Sequence, residues 1–297
     1  MGLKLSRKIR SGRNYILGLI KKINEPVYKK LIFIGTTLKF IYKINRKKNF
    51  RVGSKNLDSI NKQEYKITSQ NNEDGIIDYI TSKLKLKDLT FVEIGFDYYE
   101  NNSLNLIQKS KKGLFIDGSK DKALLLNKIL KFLYSNKDIK VINTFINKDN
   151  INDIISANIE NGEIDFLSID VDGVDYYLLE SLVLKPKIIC IEYNFRYGKK
   201  AKCSVPYSID FKWDVGSSYS GCSLSALNSL AHSKDYHLIG IDSFCVNAFF
   251  VRGDFKSQFE ILDPISSFKY PNRYTQERIE KEKKVLLSKE LTFFNWS

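Results

Sequence analysis

The sequence is poor in histidine and has no paired cysteines, and these shortages exclude several kinds of site. Only two histidines, His232 and His237, occur among the 297 residues, too few for a His-rich zinc site. They form no Ser–His–Asp or Cys–His pattern, which disfavours a covalent hydrolase. The four cysteines include no CxxC pair, and no secretory signal precedes them. We therefore expect reduced thiols in a cytoplasmic protein.

Long hydrophobic runs and a glycine-rich phosphate loop are also missing. The longest apolar stretch, residues 31–44, is interrupted by Lys39 and Lys43. It is shorter than the roughly 20 apolar residues that a membrane-spanning helix needs. No GxGxxG segment follows a predicted strand, and Gly95 stands alone in the first strand–helix turn. A pyrophosphate needs several open backbone N–H groups, so NAD binding is disfavoured.

Positive charge is concentrated at one end of the chain. The formal net charge is +14, yet residues 1–50 hold 14 of the 48 Lys and Arg residues with Glu25 as their only acid. The remaining residues are nearly neutral. A nucleic-acid enzyme would carry basic groups around its site. We therefore expect no nucleic-acid partner.

The basic end of the chain has a helical pattern. Pro26 is typical of a helix first turn, so we expect a second helix to start there. Such a basic amphipathic helix suits an anionic membrane surface, or it packs on the domain or on a partner. We predict a helical extension over 1–48, a polar linker over 49–68 and a catalytic domain over 69–297, in the cytoplasm or at the inner face of the membrane. The apolar stripe comprises Ile16, Ile20, Ile23, Val27, Leu31, Ile34, Leu38 and Ile41.

From residue 73 onward, short apolar runs alternate with helical patterns. This alternation predicts an α/β fold with a parallel sheet covered on both faces. No helix separates the last two runs, so we expect them to form an antiparallel hairpin. Predicted strands are 90–94, 113–117, 139–146, 164–171, 187–193, 236–241 and 247–252, and predicted helices are 75–84, 102–109, 121–134, 150–157, 174–182 and 223–233.

Acids follow the first two predicted strands, at the edge where ligands bind in such sheets. Glu93 and Gly95 form a turn that allows close backbone approach to a nucleoside. Asp117 follows the second strand, where an acid can accept hydrogen bonds from both ribose hydroxyls. The alternative is that Asp117 or Ser119 caps the next helix.

A second acidic group follows the fourth and fifth strands. Asp170, Asp172 and Asp175 lie within six residues, and Glu192 and Asn194 follow the neighbouring strand. Carboxylates this close repel one another unless a cation or hydrogen-bond donors offset them. Asp170, Asp172, Glu192 and Asn194 would suit Mg²⁺ or a similar hard cation. The alternative is a helix cap at Asp172 with Glu192 in a structural network.

Several of these segments together resemble the FkbM-like and related class I S-adenosylmethionine (SAM)-dependent methyltransferases, over residues 70–252. The resemblance implies a Rossmann-like sheet of seven strands, with SAM at the ends of the first, second and fourth. It also implies methyl transfer to a hydroxyl, such as that of a sugar or surface glycan. The segments are FVEIGFDYYENNS (91–103), GLFIDGS (113–119), IDFLSIDVDGVDYYLLESL (164–182), IICIEYN (188–194), YSGCSLSAL (219–227) and NAFFVR (247–252), with Ser69-Gln70 and Glu73-Asp74-Gly75 before them.

The resemblance also suggests roles for individual residues. Asp170, Asp172 and Asp175 are the catalytic candidates, either through a bound metal or as a general base. The long loop 195–221 is rich in basic and aromatic residues. It suits an anionic carbohydrate acceptor, free or lipid-linked, or it is a solvated lid. The candidates for SAM binding are Gln70, Glu93, Gly95, Asp97, Asn102, Asp117, Gly118, Ser119 and Asp170.

Two other classes of function fit the same residues. Asp170-Val171-Asp172 matches the DxD motif of metal-dependent glycosyltransferases, which bind a nucleotide-sugar. Alternatively, Phe96, Tyr98 and Tyr99 replace the usual glycine-rich turn, which is consistent with a membrane-associated scaffold that has lost catalysis. Binding of SAM separates both alternatives from a methyltransferase.

Overall fold

The computed structural model describes residues 21, 24–45, 60–97, 100–214 and 216–296. The chain divides into two units, Met1–Arg46 and Lys47–Ser297. The first unit contains helix α1, Glu25–Asn45. The Asn24 side chain caps it by accepting a hydrogen bond from the Val27 N–H (3.1 Å), and Pro26 lies in its first turn. Ile16, Ile20 and Ile23 of the predicted stripe lie outside the described residues.

The second unit is built on a seven-stranded sheet. Its strand order is β3-β2-β1-β4-β5-β8-β7. The first five strands run parallel, and β8 is antiparallel to both β5 and β7. The predicted fold class is thereby confirmed. The strands are β1 (Leu89–Ile94), β2 (Ser110–Asp117), β3 (Asp138–Asn143), β4 (Phe166–Ile169), β5 (Ile188–Glu192), β7 (Tyr236–Ile241) and β8 (Asn247–Arg252).

Helices connect most of the strands and cover the sheet. Because helices cover both faces of the sheet, every residue of β4 and all but the last residue of β5 are buried. Neither strand alternates between core and solvent. Ser223 caps the helix before β7, accepting a hydrogen bond from the Ala226 N–H (3.2 Å). The helices are α2 (Glu73–Lys83), α3 (Lys120–Leu133), α4 (Ile151–Ser156), α5 (Asp175–Ser181), α6 (Leu224–Ser233) and α7 (Gln276–Leu287).

Two predicted elements are shorter or different in the structure. The predicted helix over 102–109 is a 3-10 turn, Leu104–Lys109, that runs directly into β2. Its entry is fixed by the Asn101 side chain, which accepts from the Leu104 N–H (2.9 Å). The third strand ends at Asn143, three residues early, where its neighbour β2 also ends at Asp117 and the ladder closes with the Thr144 N–H bonded to the Asp117 carbonyl (3.1 Å). Residues 144–147 therefore turn over the sheet edge.

The described half of the predicted linker, residues 60–68, is part of the folded unit. Ile60 is buried beside Gly240. The Asn61 side chain donates to the Ile241 carbonyl (2.7 Å). Glu64 accepts from both the N–H and the hydroxyl of Ser243. These contacts attach the segment to the β7–β8 hairpin, which its polar composition did not indicate.

The chain beyond β8 adds structure that the sequence pattern did not predict. Helix α7 follows a long irregular segment and begins at a Thr275 cap. Two short strands, β6 (Cys203–Ser204) and β9 (Thr292–Phe293), pair antiparallel. Arg196 forms an ion pair with Glu282 of α7 (2.8 Å). The C-terminal segment is thus joined to the loop after β5.

Candidate functional site

A cleft of about 720 Å³ lies at the carboxyl ends of the parallel strands. This volume falls within the range of roughly 300–1,000 Å³ that small-molecule sites occupy. Asp175 is the one predicted site residue outside its lining. The other twelve all line it: Gln70, Glu93, Gly95, Asp97, Asn102, Asp117, Gly118, Ser119, Asp170, Asp172, Glu192 and Asn194.

Glu93, at the end of β1, holds the following loop in place. Its buried carboxyl accepts from the Asn102 N–H (3.0 Å) and from the Ser103 hydroxyl. Asn102 in turn donates to the Ser168 hydroxyl of β4 (3.1 Å). Burial raises the pKa of Glu93 to about 8, against the hydrogen bonds that lower it. One buried acid thus ties the first loop to the sheet.

Gly95 occupies a position that no other residue fits. Its φ is +77°, in the left-handed region. A Cβ added there would lie 1.7 Å from the Asp170 carbonyl oxygen. The glycine therefore lets the ends of β1 and β4 approach each other, and this approach narrows the floor of the cleft.

Asp117, at the end of β2, connects two loops. One of its carboxylate oxygens accepts from the Ser119 N–H (2.6 Å) and the other from the Phe96 N–H (3.2 Å). Lys122 lies 3.8 Å away. Ser119 is the helix cap, accepting from the Lys122 N–H (3.5 Å). Because a carboxylate has about four lone-pair sites, two remain at Asp117 for ligand hydroxyls.

Phe145, after β3, is a cleft residue that the sequence reasoning missed. Its side chain is 78% exposed, and its ring lies so close to Gly118 that a Cβ there would be 2.5 Å from a ring carbon. Together with Ile116 and Ile146 it forms an apolar wall of the cleft. The predicted third strand, 139–146, was too long, so position 145 was assigned to the sheet instead of to the loop that borders the cleft.

Three carboxylates converge on the cleft floor. Oxygen atoms of Asp170, Asp172 and Glu192 lie within 4.8 Å of one another. Burial, reinforced by Asp172 and Asp175, raises the pKa of Asp170 to about 7. Burial and the neighbouring Asp170 raise the pKa of Glu192 well above its ordinary value, and the two side chains are hydrogen-bonded. The pair therefore holds a proton near neutral pH unless a cation replaces it.

Asp175 and Asn194 are occupied by the protein's own groups. Asp175 is buried, and its two oxygens accept from the Val171 N–H (2.9 Å) and the Gly173 N–H (3.0 Å). It therefore shapes the turn that presents Asp172. Asn194 donates to the carbonyls of Ser218 and Ser220 (2.9 Å each) and accepts from the Arg196 N–H (3.1 Å). Its amide orders the loops around the cleft.

The opposite wall of the cleft comes from the loop after β5 and from the C-terminal segment. Phe211 packs against Gly173, where a Cβ would lie 2.2 Å from its ring. The Trp213 indole donates to the Ser217 carbonyl (3.0 Å).

Arg273, which was not predicted from the sequence, is exposed at the cleft. Arg196 also lines it, but its guanidinium is engaged by Glu282 and Tyr274.

The lining is strongly acidic. Among the described residues it contains seven carboxylates and three cations. Even with Glu93 protonated and one proton held by the Asp170–Glu192 pair, the charged acids outnumber the cations. This excess favours a ligand that carries positive charge and opposes a free diphosphate. The acids are Glu93, Asp97, Glu100, Asp117, Asp170, Asp172 and Glu192, and the cations are Lys122, Arg196 and Arg273.

Neither a protein-family model nor a curated protein matches the sequence. Solved structures with a similar fold include a S-adenosylmethionine-dependent methyltransferase from Clostridium acetobutylicum (11% identity, 61% of this chain and 90% of that chain, TM-score 0.41). Another is magnesium protoporphyrin IX methyltransferase from Synechocystis with bound SAH (12% identity, 78% of this chain and 99% of that chain, TM-score 0.42). A third is TrmK of M. capricolum in complex with SAH (18% identity, 68% of this chain and 73% of that chain, TM-score 0.34). At this level of similarity, the case for an activity rests on the cleft itself.

Proposed function

We propose that this chain is a SAM-dependent O-methyltransferase that methylates a hydroxyl of a sugar or surface glycan. The observation that carries the proposal is one acid-lined cleft at the carboxyl ends of β1, β2, β4 and β5. Nucleoside-type ligands bind at this edge of α/β sheets. When bound, SAM supplies an activated methyl group on a positively charged sulfonium.

The cofactor half of the cleft fits this ligand. Asp117 keeps two lone-pair sites, suited to the two hydroxyls of a ribose. Phe145 and Ile146 offer an apolar surface for a purine. The negative charge that remains on the Asp170–Glu192 pair complements the positive sulfonium of the ligand. Glu93 holds the adjoining loop in place.

The carboxylate cluster is suited to removing the acceptor's proton. Ligand oxygens stand about 2.0–2.1 Å from Mg²⁺, and the oxygens of Asp170, Asp172 and Glu192 already lie within 4.8 Å of one another. A small side-chain shift would therefore let these three residues hold the ion. A divalent cation there would lower the pKa of an acceptor hydroxyl. Asn194, whose amide is occupied, would support the site from outside.

The acceptor half of the cleft suits a sugar ring. Phe211 and Trp213 provide aromatic surfaces, and Arg273 provides an exposed cation. Sugars present apolar ring faces alongside their hydroxyls, and an arginine fork binds a carboxylate or phosphate substituent. Positioning two reactants in such a cleft can lower a displacement barrier by roughly 7–11 kcal/mol. We infer a sugar or glycan acceptor, free or lipid-linked.

Calorimetric titration with SAH and with nucleotide-sugars tests the cofactor assignment. We expect SAH to bind, and nucleotide-sugars to give no binding heat with or without Mg²⁺. Asp117→Asn replaces charged hydrogen bonds with neutral ones and should weaken SAH binding about tenfold. Asp121→Asn, an exposed acid on α3 outside the cleft lining, is the matched control. Binding of a nucleotide-sugar but not of SAH would establish the glycosyltransferase alternative instead.

Methyl transfer from labelled SAM to a panel of glycans tests the reaction. Asp170→Asn should lower the rate by about 10²-fold or more, the scale of general acid–base catalysis, with SAH affinity retained within a few-fold. Chelation with EDTA followed by Mg²⁺ addition tests the metal separately. Activity that survives chelation would assign the proton to the Asp170–Glu192 pair alone. Full activity of Asp170→Asn would remove the catalytic assignment.

A further inference from the structure

Helix α1 of the first unit presents a continuous apolar stripe to solvent. Its residues are spaced by steps of four, three, four and four, so they lie on one side of the helix. At about 1.5 Å per residue the stripe is about 22 Å long. Its members are Val27 (45% exposed), Leu31 (41%), Ile34 (44%), Leu38 (62%) and Tyr42 (70%).

The other side chains of α1 are also divided between a buried side and a solvent side. Thr37, Phe40 and Lys43 are buried; Phe40 and Lys43 lie on the side opposite the stripe, and Thr37 lies at its edge. Lys30 and Lys39 are exposed and flank the stripe on its two edges. Glu25, the only acid in the helix, is paired with Lys29 (2.8 Å). The solvent side of α1 thus combines apolar and cationic groups.

This combination fits an interface and not the interior of a membrane. Among the described residues, every helix is too short or too polar to cross a bilayer. An interfacial helix instead lays its apolar face into the headgroup boundary, while its lysines contact anionic headgroups. Each lysine or arginine near an anionic surface adds to the attraction, and residues 1–50 contain 14 of them.

We propose that α1 docks this chain on an anionic lipid surface through the stripe Val27–Leu31–Ile34–Leu38–Tyr42. Charge decides between the candidate occupants. A second copy would bring another strongly basic segment against the first, with one acid in its 50 residues, and like charges oppose that association. Anionic headgroups complement both features of the surface at once. The proposal is independent of the methyltransferase assignment.

Co-sedimentation of the full chain with vesicles tests the proposal. We expect binding to equimolar phosphatidylcholine and phosphatidylglycerol, and little binding to pure phosphatidylcholine. Raising the salt from about 0.1 M to about 1 M shortens the screening length from about 10 Å to about 3 Å and should reduce binding. The double variant Leu31→Gln/Leu38→Gln should weaken binding about tenfold or more.

The control is a pair of exposed apolar residues two turns apart on another helix. Leu124→Gln/Phe132→Gln on α3 (50% and 68% exposed) should leave vesicle binding unchanged. SAH titration of each variant reports separately on the catalytic unit. Failure of the wild-type chain to bind anionic vesicles would overturn the proposal, as would equal losses in the two double variants. A dimer in sedimentation equilibrium that only Leu31→Gln/Leu38→Gln dissociates would assign the stripe to a second copy.

Discussion

Substituting the buried Glu93 by glutamine should change how the stability of the protein depends on pH. Glu93 is 1% exposed, and its carboxyl accepts from the Asn102 N–H and the Ser103 hydroxyl. Glutamine has nearly the same shape and can accept the same backbone hydrogen bond. It has no proton to lose, so the substitution removes the titration and retains the packing.

The sign and the size follow from the raised pKa. Burial raises the pKa of Glu93 from 4.5 to about 8, so the native state retains a proton that the unfolded chain releases. Stability from this group is therefore complete below the unfolded pKa and declines as the pH rises towards the folded one. At about 1.4 kcal/mol per pKa unit, the decline reaches about 5 kcal/mol at most.

Urea titrations at several values between about pH 5 and pH 8 measure the effect. The difference in unfolding free energy between wild type and Glu93→Gln should shift steadily in favour of the variant as the pH rises. Glu260→Gln, at an exposed position, should track the wild type throughout. Other buried acids contribute to both proteins and cancel in the difference. A difference that does not change with pH would refute the assignment of a protonated Glu93.

Three further substitutions, and a control at Gly221, test the geometry of the cleft. Gly95→Ala and Gly221→Ala both force alanine into a left-handed backbone, at about 1–2 kcal/mol, but only Gly95 also meets the Asp170 carbonyl; melting curves should show a loss larger by about 2 kcal/mol or more at Gly95. Asp175→Asn leaves one backbone N–H without its charged acceptor and should cost about 1–3 kcal/mol in urea unfolding. Phe145→Ala should weaken SAH binding about tenfold, as expected for a stacked base, without changing the melting temperature; unchanged binding would exclude stacking.

The strand pattern of the sheet was predictable because it follows from burial. A strand that is covered by helices on both faces is apolar at nearly every position, as residues 188–192 are. Such a run can be recognised in the sequence alone. The two strands of the final hairpin, 236–241 and 247–252, were predicted with the bounds that the structure has. Parallel strands bring their carboxyl ends to one edge, and this geometry predicted that the acids there would share a cleft.

The functions of individual acids were less predictable, because hydrogen-bond partners depend on tertiary geometry. Asp172 and Asp175 are three residues apart and chemically alike, yet Asp172 faces the cleft while Asp175 accepts two backbone N–H groups. No spacing rule separates them. Arg273 was not predicted for the same reason. It follows a long segment without periodicity, and only the folding of the chain brings it to the cleft.

The location of charge also constrains how such an enzyme would meet an anionic surface. Seven carboxylates line the cleft against three cations, so the mouth of the cleft repels anionic headgroups. The cleft of the second unit therefore does not favour an approach to such a surface. The attraction has to come from residues 1–50, where 14 bases stand against one acid. The overall charge of +14 conceals two ligand preferences of opposite sign, and removing residues 1–48 should abolish vesicle binding while SAH affinity is retained.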